Sequence, residues 1–207
     1  EPEGLFRATA DAAAAFGVPL DSADLATIRG IHARFAADGL ELRFNTHGRA
    51  PRSYYPTLRR MVLERDLAGR YASYLAGEDR WAVVRDLQRS GRVVPVVGDL
   101  AGPHAVRAIG EVVRGRGERI TAFYVSNVEF YLFGEGTFSD FVENLASLPL
   151  AQESVLIRSV FRGPPLPSHV PGYGSTQSLH GTTALLRQWE QGRIRSYAEL
   201  VRAAFTD

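Results

Sequence analysis

The sequence contains neither cysteine nor lysine, and these two absences exclude several kinds of site. All 24 side chains in the Lys+Arg count are arginine. Without cysteine the chain has no disulfide, thiol nucleophile or thiolate metal site. Without lysine it has no Schiff-base amine and no P-loop lysine. What remains is ordinary: 207 residues, a formal net charge of +1, 45% hydrophobic and 23% charged. That composition is typical of a globular protein with a real core.

Long hydrophobic runs are also absent. The stretch from Val93 to Val97 is far too short to span a bilayer, and no charged-then-apolar leader opens the chain. We therefore expect no membrane partner and a cytoplasmic protein. Because the first residue is Glu1 rather than Met, we expect a chain cut or processed from something longer. The five histidines show no metal-ligand spacing, so no metal site is expected.

The first part of the chain, residues 1–76, is predicted to be helical. An alanine-rich helix runs from Leu5 to Phe16, and a second begins at the candidate caps Asp21 and Ser22. Apolar residues recur at helical spacing in this second segment. Further helices are expected from about Pro56 to Leu75 and from Asp79 to Ser90.

The middle of the chain alternates between two patterns. Three short apolar runs, Arg92–Gly98, Ile120–Ser126 and Ser154–Val160, are typical of buried strands, although Pro95 lies within the first. Helical patterns at Pro103–Arg114 and Phe138–Leu148 separate them. Strands that alternate with helices predict an α/β fold with a doubly wound, mainly parallel sheet.

The α/β domain is predicted to cover residues 77–207. Within it, residues 162–178 are rich in proline and glycine and are expected to form a long loop. A closing pair of helices, 179–191 and 196–205, is expected to follow.

Ligands of open α/β sheets bind beyond the carboxyl ends of the strands, which makes the loop after the first predicted strand a candidate site. There Gly98, Asp99 and Leu100 lead towards a helix. The glycine permits tight backbone, and the Asp99 carboxylate could accept hydrogen bonds from a ribose or an amino group. Equally, Asp99 could simply cap the following helix.

The loop after the second predicted strand is the other candidate. Ser126, Asn127 and Glu129 are polar groups placed to orient a substrate, although capping of the next helix explains them as well. Arg158 is a charge inside an apolar strand, so it must point outward, pair with a carboxylate or hold an anionic ligand. Pairing is the commoner outcome.

A third candidate is the segment from Arg43 to Arg70, which has seven arginines interleaved with Tyr54 and Tyr55. Such a face could bind the phosphates of RNA. A solvated helix face accounts for the same residues.

Several strings in the sequence resemble a family of uncharacterised bacterial proteins that are themselves similar to S-adenosylmethionine-dependent methyltransferases. The resemblance covers mainly Tyr71–Phe161 and Gly192–Leu200. It is carried by VVPVVGDLAGPHAVRAIGEVVRGRG, ITAFYVSNVEFYLF, ENLASLPL, VLIRSVF and GRIRSYAEL.

The resemblance implies a Rossmann-like fold and a set of site residues. Gly98, Asp99, Leu100 and Ser126 would bind the cofactor S-adenosylmethionine, with Asp99 at its adenine end. Asn127 and Glu129 would face the methyl group and its acceptor. The segment that supplies the glycine-rich cofactor loop in fuller members is not matched here, which implies half of a split or truncated fold, or a homo-oligomer.

The function expected from the sequence is therefore that of a methyltransferase-like domain whose acceptor is RNA or a small molecule. Methyl transfer needs alignment and exclusion of water rather than a metal or a thiol. The competing expectation is a non-catalytic module that binds RNA or protein.

Overall fold

The computed structural model describes residues 1–44, 52, 54–161 and 166–206. The chain divides into two compact units, Glu1–Val94 and Pro95–Asp207. The sequence-based boundary, between residues 76 and 77, is 18 residues earlier (94 − 76). Each unit is described by itself.

The first unit is helical. Its longest helix begins at Asp21 with a capping box. The carboxylate of Asp21 accepts from the backbone amides of Ala23 and Asp24, both at 2.8 Å. The backbone amide of Asp21 in turn donates to the carboxylate of Asp24. The predicted cap is thus confirmed. The helices are α1 (Pro2–Ala15), α2 (Ser22–Asp38), α3 (Leu58–Leu63) and α4 (Glu78–Arg89).

The long helix predicted from Pro56 to Leu75 is wrong. After α3 the chain turns, because the Asp66 carboxylate accepts from the amides of Ala68 and Arg70 at 2.9 and 3.0 Å. These bonds offer the backbone an alternative to helix. Gly69 lies within the turn at a φ of +77°, which glycine adopts without steric cost.

The second unit holds the sheet. Its helices are α5 (Ala105–Gly115), α6 (Val128–Glu135), α7 (Phe138–Ala146), α8 (Thr182–Glu190) and α9 (Tyr197–Ala203). Its strands are β1 (Ile120–Ser126), β2 (Leu150–Phe161) and β3 (Ser175–Gly181). The strands predicted at Ile120–Ser126 and Ser154–Val160 are confirmed. β3 occupies residues that were expected to be loop and helix.

The prediction of a doubly wound, mainly parallel sheet is wrong. The sheet has three strands in the order β1-β2-β3, of which β1 and β2 are parallel and β2 and β3 antiparallel. The run Arg92–Gly98 forms no strand: it has no ladder partner among the described residues, and Val97 is fully exposed. Apolar composition alone cannot supply a neighbouring strand, and Pro95 removes one of the donors that a ladder needs.

The core of the second unit lies on one face of this sheet. Leu156 at its centre packs with Phe141, Leu145, Leu185 and Leu200, and all five side chains are completely buried. On the other face, Tyr124 of β1, Phe161 of β2 and Leu179 of β3 are 60%, 50% and 60% exposed, whereas Ser159 of β2 is buried. The sheet is therefore covered by α5–α9 on one side only, within the described residues.

Candidate functional site

The carboxyl end of β1 is the first feature that marks a site. Ser126, the last residue of β1, has a φ of +52°, the left-handed region that a non-glycine residue rarely occupies. The next residue, Asn127, precedes α6 and makes no capping hydrogen bond with its side chain. Backbone strain of this kind is concentrated at binding and active sites.

Polar side chains from all three strands meet there, in what we name the Tyr124 cluster: Tyr124, Ser126, Asn127, Ser159 and Gln177. The Gln177 amide donates to Ser159 Oγ at 2.7 Å, and Ser159 Oγ lies 3.2 Å from the Tyr124 hydroxyl. Ser126 Oγ is 3.5 Å from Asn127 Oδ1. The cluster therefore holds hydroxyl and amide groups in one hydrogen-bonded row.

The hydrogen bonds of the Tyr124 cluster change the pKa of the Tyr124 hydroxyl. The hydroxyl of Ser159, and after it that of Ser126, lowers the pKa of Tyr124 from its usual value of 10.0, because both can donate to the phenolate. Slight burial opposes the shift. Since the Tyr124 side chain is exposed, its hydroxyl can exchange a proton with a bound molecule.

Behind this row lies a fully buried ion pair. Arg158 of β2 and Glu129 in the first turn of α6 are both 0% exposed. The guanidinium donates through Nε to Oε2 at 2.7 Å and through Nη2 to Oε1 at 3.1 Å, a bidentate pair. Because Ser126 pairs with Arg158 in the sheet register, the ion pair also fixes the turn that carries Ser126 and Asn127.

The ion pair continues into β3 and α8, and we name Glu129, Arg158, His180 and Gln188 the Arg158 network. Arg158 Nη1 is 3.3 Å from His180 Nδ1. A guanidinium can only donate, so Nδ1 accepts and the proton of the neutral ring lies on Nε2, which donates to Gln188 Oε1 at 2.9 Å. The amide of Gln188 in turn donates to the carbonyls of Ala203 and Thr206.

The residues assigned to the cofactor's adenine end have other contacts. Asp99 Oδ1 accepts from the amide of Ala101 at 2.9 Å, which closes a turn rather than capping α5. Gly98 is required for packing, since a Cβ there would come within 2.2 Å of Ala105 Cβ. The carbonyl of Leu100 accepts from Asn144 Nδ2 at 2.9 Å, which ties this turn to α7.

Of the residues predicted from the sequence, Ser126 and Asn127 thus lie in the Tyr124 cluster. Glu129 forms an ion pair with Arg158 instead. No hydrogen bond or ion pair among the described residues joins these residues to Gly98, Asp99 or Leu100. Sequence reasoning missed Tyr124, Ser159 and Gln177. Gln177 had no signal in the sequence, because β3 contains a single apolar residue, Leu179, and the neighbouring prolines and glycines indicated a loop.

Three of the arginines in the segment from Arg43 to Arg70 have side-chain partners inside the first unit. Arg59 pairs with Glu41 at 2.7 Å and Arg70 with Asp66 at 2.8 Å. Arg52 donates to the Tyr54 hydroxyl at 2.6 Å. Part of the segment, residues 45–51 and 53, lies outside the described residues. RNA binding by this face stays a prediction.

Three further searches concern metals, membranes and pockets. No group of histidine, aspartate and glutamate suited to a metal ion occurs in the part of the chain that the structure describes. Among the same residues, no helix combines the length and the apolarity needed to cross a membrane. An open pocket of about 420 Å³ lies beside α6. Tyr197 lines it, and burial, followed by the negative charge of Glu129, raises the pKa of this tyrosine.

Residues 6–204 match the model of a protein family, DUF7790. The family is described as a domain of unknown function. No curated protein matches the sequence.

Proposed function

We propose that this chain, which belongs to the DUF7790 family, is a methyltransferase-like domain that holds a polar methyl acceptor at the Tyr124 cluster. The observation that carries the proposal is the strained turn at Ser126, which places Asn127, whose side chain does not cap α6, at the carboxyl end of a parallel strand. In open α/β sheets ligands bind beyond the carboxyl ends of parallel strands, and β1 and β2 are the parallel pair of this smaller sheet.

The Tyr124 cluster fits an acceptor. Its hydroxyl and amide groups are neutral donors and acceptors, which suit a polar molecule better than a strongly charged one. The lowered pKa of Tyr124 suits a group that takes up the acceptor's proton as the new bond to carbon forms. The bound cofactor would supply the methyl group as an electrophile.

Glu129 then acts on the turn rather than on the acceptor. Its carboxylate is buried and fully used by Arg158, so it is a positioning residue that holds the start of α6 against β2. Asn127 is the side chain of this turn that can reach a bound molecule.

The adenine end of the cofactor fits the described residues less well. One oxygen of Asp99 is used within its own turn, and Gly98 leaves no space beside Ala105. The contact of Asp99 with adenosine therefore stays a prediction of the resemblance, and no step of the proposal depends on it.

The first test is the melting temperature with and without excess S-adenosylhomocysteine. A ligand at a hundredfold its dissociation constant adds about 2.7 kcal/mol, which for a chain of this size raises the midpoint by roughly 5 to 10 °C. Asp99→Ala should reduce that shift if Asp99 contacts adenosine. Asp99→Asn is the matched control for the turn, because its amide oxygen can still accept from Ala101. An unchanged midpoint in the wild-type protein would contradict the proposal.

The acceptor side needs a separate test. The protein is incubated with methyl-tritiated S-adenosylmethionine and either an RNA fraction or a small-molecule fraction of a cell extract. We expect label in the small-molecule fraction, reduced about 10²-fold or more by Tyr124→Phe. Label in the RNA fraction alone would show that the acceptor is RNA. Activity of Tyr124→Phe equal to that of the wild-type protein would show that Tyr124 takes no part in the reaction.

A further inference from the structure

We infer that the pocket beside α6 is a binding site for a flat aromatic molecule that carries an anionic group. We name it the α6 pocket; it is lined by Phe130, Tyr131, Phe133, Gly134, Glu135, Arg195, Ser196 and Tyr197. None of these residues belongs to the Tyr124 cluster, so the inference does not rest on the proposed acceptor site.

Aromatic rings form the walls of the α6 pocket. Phe130 meets Tyr197 edge-on, with centroids 5.5 Å apart and planes at 81°, and meets Tyr131 at 5.5 Å and 85°. Phe130 and Tyr131 are 56% and 54% exposed. Rings set at right angles to one another offer both faces and edges to another ring. Large exposed aromatic side chains grouped in a concave place mark a binding site rather than a core.

Gly134 also lines the α6 pocket. It lies inside α6, yet a Cβ built on it would meet no atom within 4 Å, so no packing reason in the described structure requires a glycine there. In α5, by contrast, a Cβ on Gly110 would come within 3.1 Å of Leu148 Cδ2. A glycine inside a helix weakens it. At Gly134 the gain is a flat floor among the rings, which a ligand ring can approach closely.

The rim of the α6 pocket supplies a cation. Arg195 Nε donates to the carbonyl of Gly192 at 2.9 Å, which fixes the direction of the guanidinium. The nearby Glu199 carboxylate accepts from the Arg195 amide at 2.7 Å, and this bond, followed by smaller contributions that include the Arg195 charge, lowers the pKa of Glu199. Among the described residues no carboxylate forms a direct ion pair with the Arg195 guanidinium. A guanidinium held in this way matches a carboxylate or a phosphate through paired hydrogen bonds. Glu135 on the same rim can accept from an amino group of the ligand.

The binding experiment compares charged and uncharged aromatic probes by isothermal titration calorimetry. Adenosine 5′-monophosphate and indole-3-acetate represent the two sources of the anion, phosphate and carboxylate. We expect at least one of them to bind, and its uncharged counterpart, adenosine or 3-methylindole, to bind about tenfold more weakly, since a charge-assisted hydrogen bond is lost. Arg195→Gln should remove that difference. Failure of both anionic probes to bind, or equal binding of the uncharged ones, would overturn the inference.

Gly134→Ala tests the floor of the α6 pocket without harming the fold. The new methyl group has open space, so the variant should melt at the same temperature as the wild-type protein or up to about 4 °C higher, while the affinity for the anionic probe falls about tenfold or more. Gly115→Ala is the matched control, because Gly115 is also an exposed helical glycine with no atom within 4 Å of a Cβ. Unchanged affinity in Gly134→Ala would contradict the inference.

The same variants separate this inference from the proposed function. S-adenosylhomocysteine also carries a flat ring and a carboxylate, and so could raise the melting temperature through either site. A shift abolished by Gly134→Ala but retained in Asp99→Ala would be assigned to the α6 pocket. The opposite pattern would assign it to the cofactor residues that the resemblance implies at Asp99 and leave the α6 pocket to the other probes.

Discussion

At the scale of single residues, Arg158 links the sequence to the fold most directly. A charge inside an apolar strand has few possible outcomes, and pairing with a carboxylate, the commonest, is the one found. The partner, Glu129, is 29 residues away in the chain. Sequence reasoning could anticipate that a carboxylate was needed, but only the packing of α6 against β2 determines which one.

The Arg158 network makes a prediction about stability. Glu129→Gln leaves the buried guanidinium without its counter-charge, and we expect a loss of about 3 to 5 kcal/mol in the free energy of unfolding, measured with urea. The double variant Glu129→Leu/Arg158→Met removes both charges. It should be more stable than Glu129→Gln alone, because no unpaired charge then remains buried.

A double variant as unstable as the single one would mean that packing around the pair, and not its charge, sets the loss. Glu143→Gln is the control. Its carboxylate is 73% exposed and lies 3.8 Å from Arg107, so the change should alter stability by less than about 0.5 kcal/mol.

The two tyrosines of the candidate sites should ionise in a fixed order. Hydrogen bonds from Ser159 and Ser126 lower the pKa of Tyr124 from 10.0, whereas burial and the charge of Glu129 raise that of Tyr197 from the same value. Ultraviolet absorbance should therefore be titrated with pH in two variants. Tyr124→Phe should lose the tyrosine ionisation that occurs at the lower pH, and Tyr197→Phe should lose one that occurs at higher pH.

The sign of the pH dependence follows from these directions. Because the pKa of Tyr197 is higher in the folded protein than in the unfolded one, its contribution to stability is constant below pH 10.0 and is lost as the pH rises through the folded value. Tyr197→Phe should therefore reduce the loss of stability above pH 10.0. A variant that loses stability there as steeply as the wild-type protein would contradict the assignment.

At the scale of elements, local sequence patterns such as helix caps and apolar runs predicted the elements that they determine by themselves. Asp21 followed by Asp24 is a capping pattern complete in itself, and α2 begins where it indicates. β1 and most of β2 follow from apolar runs in the sequence. The failures share one cause, which is that a strand also requires a neighbour. Arg92–Gly98 has the composition of a strand and no ladder, whereas the polar segment Ser175–Gly181 has seven partners on β2.

The cap of α2 can be tested by itself. Asp21→Ala removes the acceptor for two backbone amides, and we expect helix stability to fall by about 1 kcal/mol, seen as a loss of helical circular dichroism at a lower temperature. Ser22→Ala is the control, since the cap uses Asp21 and Asp24 instead. Equal effects of the two substitutions would argue against the observed cap.

At the scale of the molecule, the two units differ in how much apolar surface they bury. Phe6 is the one buried apolar side chain among the described residues of Glu1–Val94, whereas Pro95–Asp207 buries a continuous cluster around Phe141 and Leu156. Burial of apolar surface is the main stabilising contribution to folding. The helical pattern in the sequence predicted α1, α2 and α4, although not the early end of α3, and it could not show how little those helices bury.

Amide hydrogen exchange should therefore separate the two units. We expect the amides of β2 to be the most protected in the chain and those of α2 to exchange at least tenfold faster, because α2 opens without disturbing a large core. Thermal unfolding should then deviate from a single two-state transition. Equal protection in α2 and β2 would show that the units unfold together.

The chain of hydrogen bonds that runs from Arg158 through His180 and Gln188 ends on the carbonyls of Ala203 and Thr206. During synthesis on the ribosome, Glu129, Arg158 and His180 emerge long before those carbonyls exist. Until residue 206 has left the exit tunnel, the amide of Gln188 lacks its acceptors, and the last bonds of the buried network cannot form. The second unit therefore completes its folding only at a late stage of translation. Nascent chains stalled before Ala203 would expose polar groups of the incomplete network to chaperones.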